Sequence, residues 1–182
     1  MQDAWRLMWE GLGYVNSAIM DLQDLDYKKV DMTQQEVEAV LAELHVLRAF
    51  HYMKIMELWG NVPVITTVGE PKNPATQPRA EVFQFIKTEL ETYVPKLLPY
   101  SKQLVFRVSQ TARYAMLSEL YLNAEYFVGT PMHDQCIAAC DKIINGQAGG
   151  LNGVPKLATD LKSFFSNTNQ YADEALFHFA FS

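Results

Sequence analysis

The 182-residue chain is poor in cysteine and in basic residues: two Cys, and 15 Lys and Arg against 21 Asp and Glu, for a formal net charge of −6. Cys136 and Cys140 stand four apart in a helical pattern, where neighbouring turns hold thiols in poor geometry for a disulfide, so no disulfide framework is expected. Without a basic stripe the chain has no means of neutralising phosphates, and nucleic acid is excluded as a partner. Apolar runs stay well short of the roughly 18 to 20 residues that cross a bilayer, and residues 1–20 lack the basic, apolar, small order of a signal peptide. Catalytic and phosphate-binding signatures are missing as well. There is no G-x-S-x-G elbow, and the glycine-rich stretch from Gly146 to Gly153 has neither the lysine nor the preceding strand of a phosphate loop.

Metal-ligating and acid–base groups are equally sparse. His133, Cys136 and Cys140 share one helical face, but a structural zinc site takes four ligands, so they are read as two small core residues and a surface histidine. Asp21, Asp24 and Asp26 lack the glycine and closing glutamate of a calcium loop. Glu36, Glu38, Glu43, Glu57, Glu89 and Glu91 all fall where a solvated helix face is expected. The chain is therefore expected to be no enzyme, with no metal and no cofactor.

What the chain does have is apolar bulk, 49% hydrophobic and 12% aromatic residues, which excludes disorder as its main state. At this length, one domain burying roughly 70% of its unfolded surface is expected. A first helix is predicted over Ala4 to Leu25, from Trp5, Met8, Trp9, Leu12, Val15, Ile19 and Leu22 at helical spacing. The pattern begins almost at residue 1, as if entered midway. Thr33 and Glu36 have capping-box spacing and open a second helix, which Gly60 and Pro63 stop near Trp59. From Leu44 onward this helix is apolar nearly all round, which places it centrally.

After the β-branched stretch Val62 to Thr67 comes a loop holding Pro71, Pro74 and Pro78. A third helix follows from about Ala80, ended or kinked by Pro95. Ser109 is the expected N-cap of a fourth helix running to Phe127, closed by Gly129 and Pro131. A fifth, Met132 to Asn145, is expected to pack on it as an αα-hairpin through Ala124, Ala138 and Ala139. Beyond lie a short helix at Asp160 to Phe165 and an alternating, strand-like segment from Ala175 to Phe181. The fold class is all-α, with tetratricopeptide-like αα-hairpins in an α-α superhelical scaffold and little or no sheet.

Arg48 sits in a nearly uncharged segment, so a carboxylate or carbonyl partner from another element is expected for it. His45, His51 and His178 read as packing residues. The candidate ligand-binding residues are Trp59, Asn61 and Trp5. An indole presents a flat apolar face with one donor, and Trp59 stands beside Gly60 and Asn61 at the mouth of the proline-rich loop. Trp9 belongs to the apolar series and is expected in the core.

Glu43 to Tyr52 (ELHVLRAFHY), followed by Leu58 to Val64 (LWGNVPV), resembles the signature of the SusD/RagB family of outer-membrane nutrient-binding lipoproteins. Pro78-Arg79-Ala80, the helix ending Leu97-Leu98-Pro99, Arg107 to Ala124, Cys136 to Gly146 and Asn169 to Phe177 are similar to further family elements in the same order. The resemblance implies a non-catalytic surface lipoprotein that binds oligosaccharide, polysaccharide or other nutrients and delivers them to a TonB-dependent outer-membrane transporter. Family members are longer, so the resemblance implies that residues 1–182 are one helical domain from such a protein, with signal peptide and lipidated cysteine outside it. It carries over no binding residue. A helical-repeat adaptor holding a protein or peptide in a groove is the alternative. Phe177, Phe179 and Phe181 are expected to form an exposed apolar patch that promotes association.

Overall fold

A computed structural model describes residues 2–69, 73–93, 96–166, 169 and 172–179. It is all-α: among the described residues extended pairing is limited to isolated bridges, Val62 with Gln77 and Tyr100 with Gly149. The chain forms two compact units, Met1–Lys96 with Glu125–Thr130, and Leu97–Ala124 with Pro131–Ser182.

In the first unit, α1 (Gln2–Gln23) buries Leu12, Val15, Asn16 and Ile19, one face of the predicted stripe. The stripe's first turns are less covered, and Met8 and Trp9 are half-buried rather than core. A 3-10 turn, Tyr27–Val30, leads to α2 (Gln34–Trp59) through a complete capping box: Thr33 Oγ1 accepts from the Glu36 amide at 3.2 Å, and the Thr33 amide donates to Glu36 Oε2 at 2.8 Å. α2 buries residues on several faces because α1 and α3 (Arg79–Thr92) both pack against it. It ends at Gly60, whose amide reaches Met56 O at 2.8 Å and whose φ of 75° suits glycine. A Cβ there would come within 2.8 Å of Arg79 Nη2, so the glycine also admits the arginine. The kink expected at Pro95 falls outside the described residues.

The second unit centres on α4 (Gln110–Leu122) and α6 (His133–Ile144), which pack together as the expected hairpin. Ser109 caps α4, its buried Oγ accepting from the Ala112 amide at 3.3 Å. Ser109→Ala is expected to lower unfolding free energy by about 1–2 kcal/mol in urea titrations, with an unchanged m-value.

Four further expectations are corrected. The fourth helix does not run unbroken to Phe127: Asn123 interrupts it before α5 (Ala124–Val128). The Asn123 side chain donates to Glu119 O at 2.8 Å, and this local bond competes with continued helix. Ala139 is buried as expected, but Ala138 is exposed, one helical position round from the contact. Glu89 is buried, on the same α3 face as Val82 and Ile86, rather than solvated. Residues 175–179 form no strand; Ala175 closes a turn onto Ala172 O at 3.1 Å, and the Phe177 and Phe179 rings pack on each other at 4.9 Å. Alternation makes a strand only when an extended neighbour supplies the ladder. Phe179 is 54% exposed, and Phe181 lies outside the described residues.

Leu151, past α6, joins Tyr100, Leu104 and Val105 from the segment before α4 in a small apolar cluster. The Tyr100 amide donates to Ala148 O at 2.9 Å, and Thr111 Oγ1 bonds the carbonyls of Ala148 and Gly149. α7 (Leu161–Phe164) follows.

Candidate ligand cleft

The partner expected for Arg48 is Glu89. Arg48 Nε meets Glu89 Oε2 at 2.8 Å and Nη2 meets Oε1 at 3.0 Å, a two-pronged pair in which both side chains are buried. His45 Nδ1 lies 3.0 Å from the same Oε2, its ring stacked on Tyr93 at 3.7 Å. Burial by itself would push the Glu89 carboxyl up. The bonds from His45 and Arg48, with their charges, outweigh it and hold the group below its ordinary value.

This network reaches the loop after α2. Arg48 Nη1 donates to Asn16 Oδ1 at 3.2 Å, and Asn16 Nδ2 donates to Ile65 O at 3.0 Å. Tyr52, fully buried, donates its hydroxyl to the same carbonyl at 2.9 Å and accepts from the Ile65 amide at 2.6 Å. Beyond the Val62 bridge the β-branched stretch pairs with no strand among the described residues; side chains from α1 and α2 satisfy the Ile65 backbone where a sheet would otherwise do so.

Held in this way, the loop stands off from α1 and leaves a cleft of about 540 Å³. Trp9, Glu10, Tyr14 and Ser17 line it from α1, and Ile65, Thr67 and Pro74 from the loop. Its volume lies within the roughly 300–1,000 Å³ typical of ligand sites. Tyr14 is 71% exposed, so its ring is an accessible flat wall. Glu10 pairs with Arg6 at 3.2 Å along the helix.

Of the candidates from sequence, Trp5 and Trp59 come together edge-to-face at 4.9 Å, and Trp5 lies 5.2 Å from Trp9. Trp9 in turn meets Tyr52 at 6.1 Å. Trp5, Trp59 and Asn61 do not themselves line the cleft; Trp9 joins the aromatic cluster to it. Asn61 Oδ1 accepts from the Arg79 amide at 2.9 Å and so caps α3. Sequence reasoning missed Glu10, Tyr14 and Ser17. Their signal was spacing: all three fall off the apolar stripe, at intervals of three and four along the other side of α1. Among the described residues no group of three His, Cys, Asp or Glu gathers as for a metal.

Packed helical hairpins with almost no extended pairing define an all-α, helical-repeat scaffold, and the first unit carries an open, aromatic-walled cleft. The chain belongs to the SusD-like family described as "Starch-binding associating with outer membrane", whose model matches residues 1–122. It is 25% identical over 150 residues to "Starch-binding protein SusD" of Bacteroides thetaiotaomicron, an alignment covering 80% of this chain and 25% of that protein. A solved laminarin-binding SusD-like protein matches with a TM-score of 0.80 and 21% identity, over 95% of this chain and 36% of the other. Surface glycan-binding protein A from Bacteroides uniformis matches with a TM-score of 0.78 and 18% identity, over the same shares. The chain thus spans a quarter to about a third of the length of these relatives.

Proposed function

We propose that this chain is a non-catalytic, glycan-binding helical portion of a bacterial cell-surface protein, held at the outer membrane by a lipid anchor and passing its ligand to a TonB-dependent transporter. The cleft beside α1 carries the reading. Its Trp9 and Tyr14 rings suit the apolar faces of sugar rings, and Glu10, Ser17 and Thr67 supply polar groups for hydroxyls. Trp5 and Trp59, which reach the cleft through Trp9, and Asn61 are proposed as further contact residues. Family membership and the starch, laminarin and glycan binding in the relatives' names support this assignment. Among the described residues no helix is long and apolar enough to cross a membrane.

Isothermal titration calorimetry of the full chain against maltoheptaose, laminarihexaose, xylohexaose, mannohexaose, hexagalacturonate and sialyllactose tests it. Binding to at least one member is expected, and Tyr14→Ala should weaken that binding about tenfold, or 1.4 kcal/mol. Because Tyr14 is so exposed, the thermal midpoint should barely move. No heat with any glycan would end the proposal.

A further inference from the structure

We infer that the first unit holds a second glycan contact at the corner where α2 ends, and that its ligand is a long oligosaccharide or polysaccharide segment reaching from the cleft to that corner; this rests on the glycan-binding reading above. The corner is built around Tyr126 of α5, whose side chain is 77% exposed. Arg79, the first residue of α3, lays its guanidinium 5.5 Å from the centre of the Tyr126 ring and 5.7 Å from that of Phe127. Both distances fall within the roughly 6 Å over which a cation and a ring attract. The two rings meet edge-on at 5.6 Å, so Tyr126 is braced by Phe127 as well as by the arginine.

The end of α2 fixes the arginine from another side. A Cβ on Gly60 would fall 2.8 Å from Arg79 Nη2, so the guanidinium rests against the Gly60 backbone, and Asn61 Oδ1 accepts from the Arg79 amide at 2.9 Å. Arg79 is half-buried, and its planar fork carries five N–H donors, a geometry already set before a sugar arrives. A flat exposed ring with fixed donors beside it offers a sugar an apolar face and partners for its hydroxyls, as the cleft does.

The corner and the cleft are joined by aromatic rings. Trp9 lines the cleft, Trp5 lies 5.2 Å from Trp9, and Trp59 lies 4.9 Å from Trp5. Trp59 directly precedes Gly60 and Asn61, which hold Arg79. All of these residues belong to the first unit. A short sugar occupies one end of this track. A longer chain engages both ends, and its second contact is then intramolecular, which raises affinity without strengthening either contact alone.

Calorimetry on the intact chain compares maltotriose with maltoheptaose, and the trimers of the laminari-, xylo-, manno- and galacturonate series with their hexamers; trimers too weak for direct titration are measured by displacing the longer member. In the series that binds, the longer member should bind at least about tenfold more tightly than the trimer. Tyr126→Ala should weaken the longer member about tenfold and leave the trimer unchanged. Tyr126→Phe, which keeps the ring, should bind as the unaltered chain does, and Tyr14→Ala should weaken both lengths. The exposure of Tyr126 means that the thermal midpoint should barely move in either Tyr126 variant. A trimer binding as tightly as the longer member, sialyllactose as the sole binder, or a Tyr126→Ala variant that leaves the longer member unmoved or weakens both lengths alike overturns the second contact and leaves glycan binding standing. Silence with every glycan removes both.

Discussion

Arg48→Met should cost about 3–5 kcal/mol of unfolding free energy, the largest loss expected from any single side chain in the first unit. The substitution strands the Glu89 carboxylate in a buried site with His45 as its remaining close partner, and a buried charge without its counter-ion is costly. It also removes the donor that orients Asn16, so the Ile65 carbonyl loses a well-placed bond and the outer wall of the cleft loosens. Urea titration measures the first effect, and hydrogen exchange at the Ile65 amide the second. The double variant Arg48→Met, Glu89→Leu should recover much of the stability, since no buried charge is left over. If the double variant is as unstable as the sum of the two single ones, the pair is not coupled in this way.

The same carboxylate gives the unit a pH dependence with a definite sign. Glu89 is lowered from its ordinary value of 4.5 in the folded chain, so the unfolded chain binds its proton at higher pH than the folded chain does. The stability it contributes is complete above about pH 4.5 and is lost as pH falls through the lower folded value. Glu89→Gln should remove that part of the acid slope.

Gly149→Ala should be the most damaging small change in the second unit, at roughly 2–5 kcal/mol. Gly149 has φ 84°, and an added Cβ would lie 2.5 Å from Tyr100 O and 2.6 Å from Tyr100 N. Those contacts are with backbone, which cannot rotate away as a flexible side chain could. The left-handed conformation costs a residue with a Cβ about 1–2 kcal/mol, and relieving the clash costs as much again or more. The bond from the Tyr100 amide to Ala148 O at 2.9 Å would be the first to open. Faster exchange of the Tyr100 amide, with the Arg48 region unaffected, is the expected pattern; equal loosening of both units would show that the damage spreads.

Much of this protein was legible in its residues. Helix starts were clearest, because a cap is a local bargain between a side chain and amides three residues on: Thr33 and Ser109 cap the helices they were expected to cap. The stop at Gly60 and the hairpin of α4 with α6 were legible for similar reasons. The family was legible too, from weak motifs in a specific order. The break at Asn123 was not, since a single asparagine is compatible with a helix until its amide finds Glu119 O. The cleft itself was not legible, since none of the ligand-contact candidates named from sequence lines it. Trp5 and Trp59 meet edge-to-face, which their sequence positions did not show, and the cleft lies where the neglected side of α1 faces a loop about fifty residues away in sequence.

The sequence by itself determined the all-α class, the main helix boundaries and the need of Arg48 for a counter-charge, because periodicity, capping and the cost of a buried charge are local or nearly universal. Only the tertiary structure decided that the counter-charge is Glu89, forty-one residues on, and that Asn16 and Tyr52 tie down the β-branched stretch after α2. Those partners lie on different helices, and which faces meet depends on how α1 and α3 are packed on α2. The cleft follows from that packing, as the space left where side-chain bonds hold a loop that no strand pairs with.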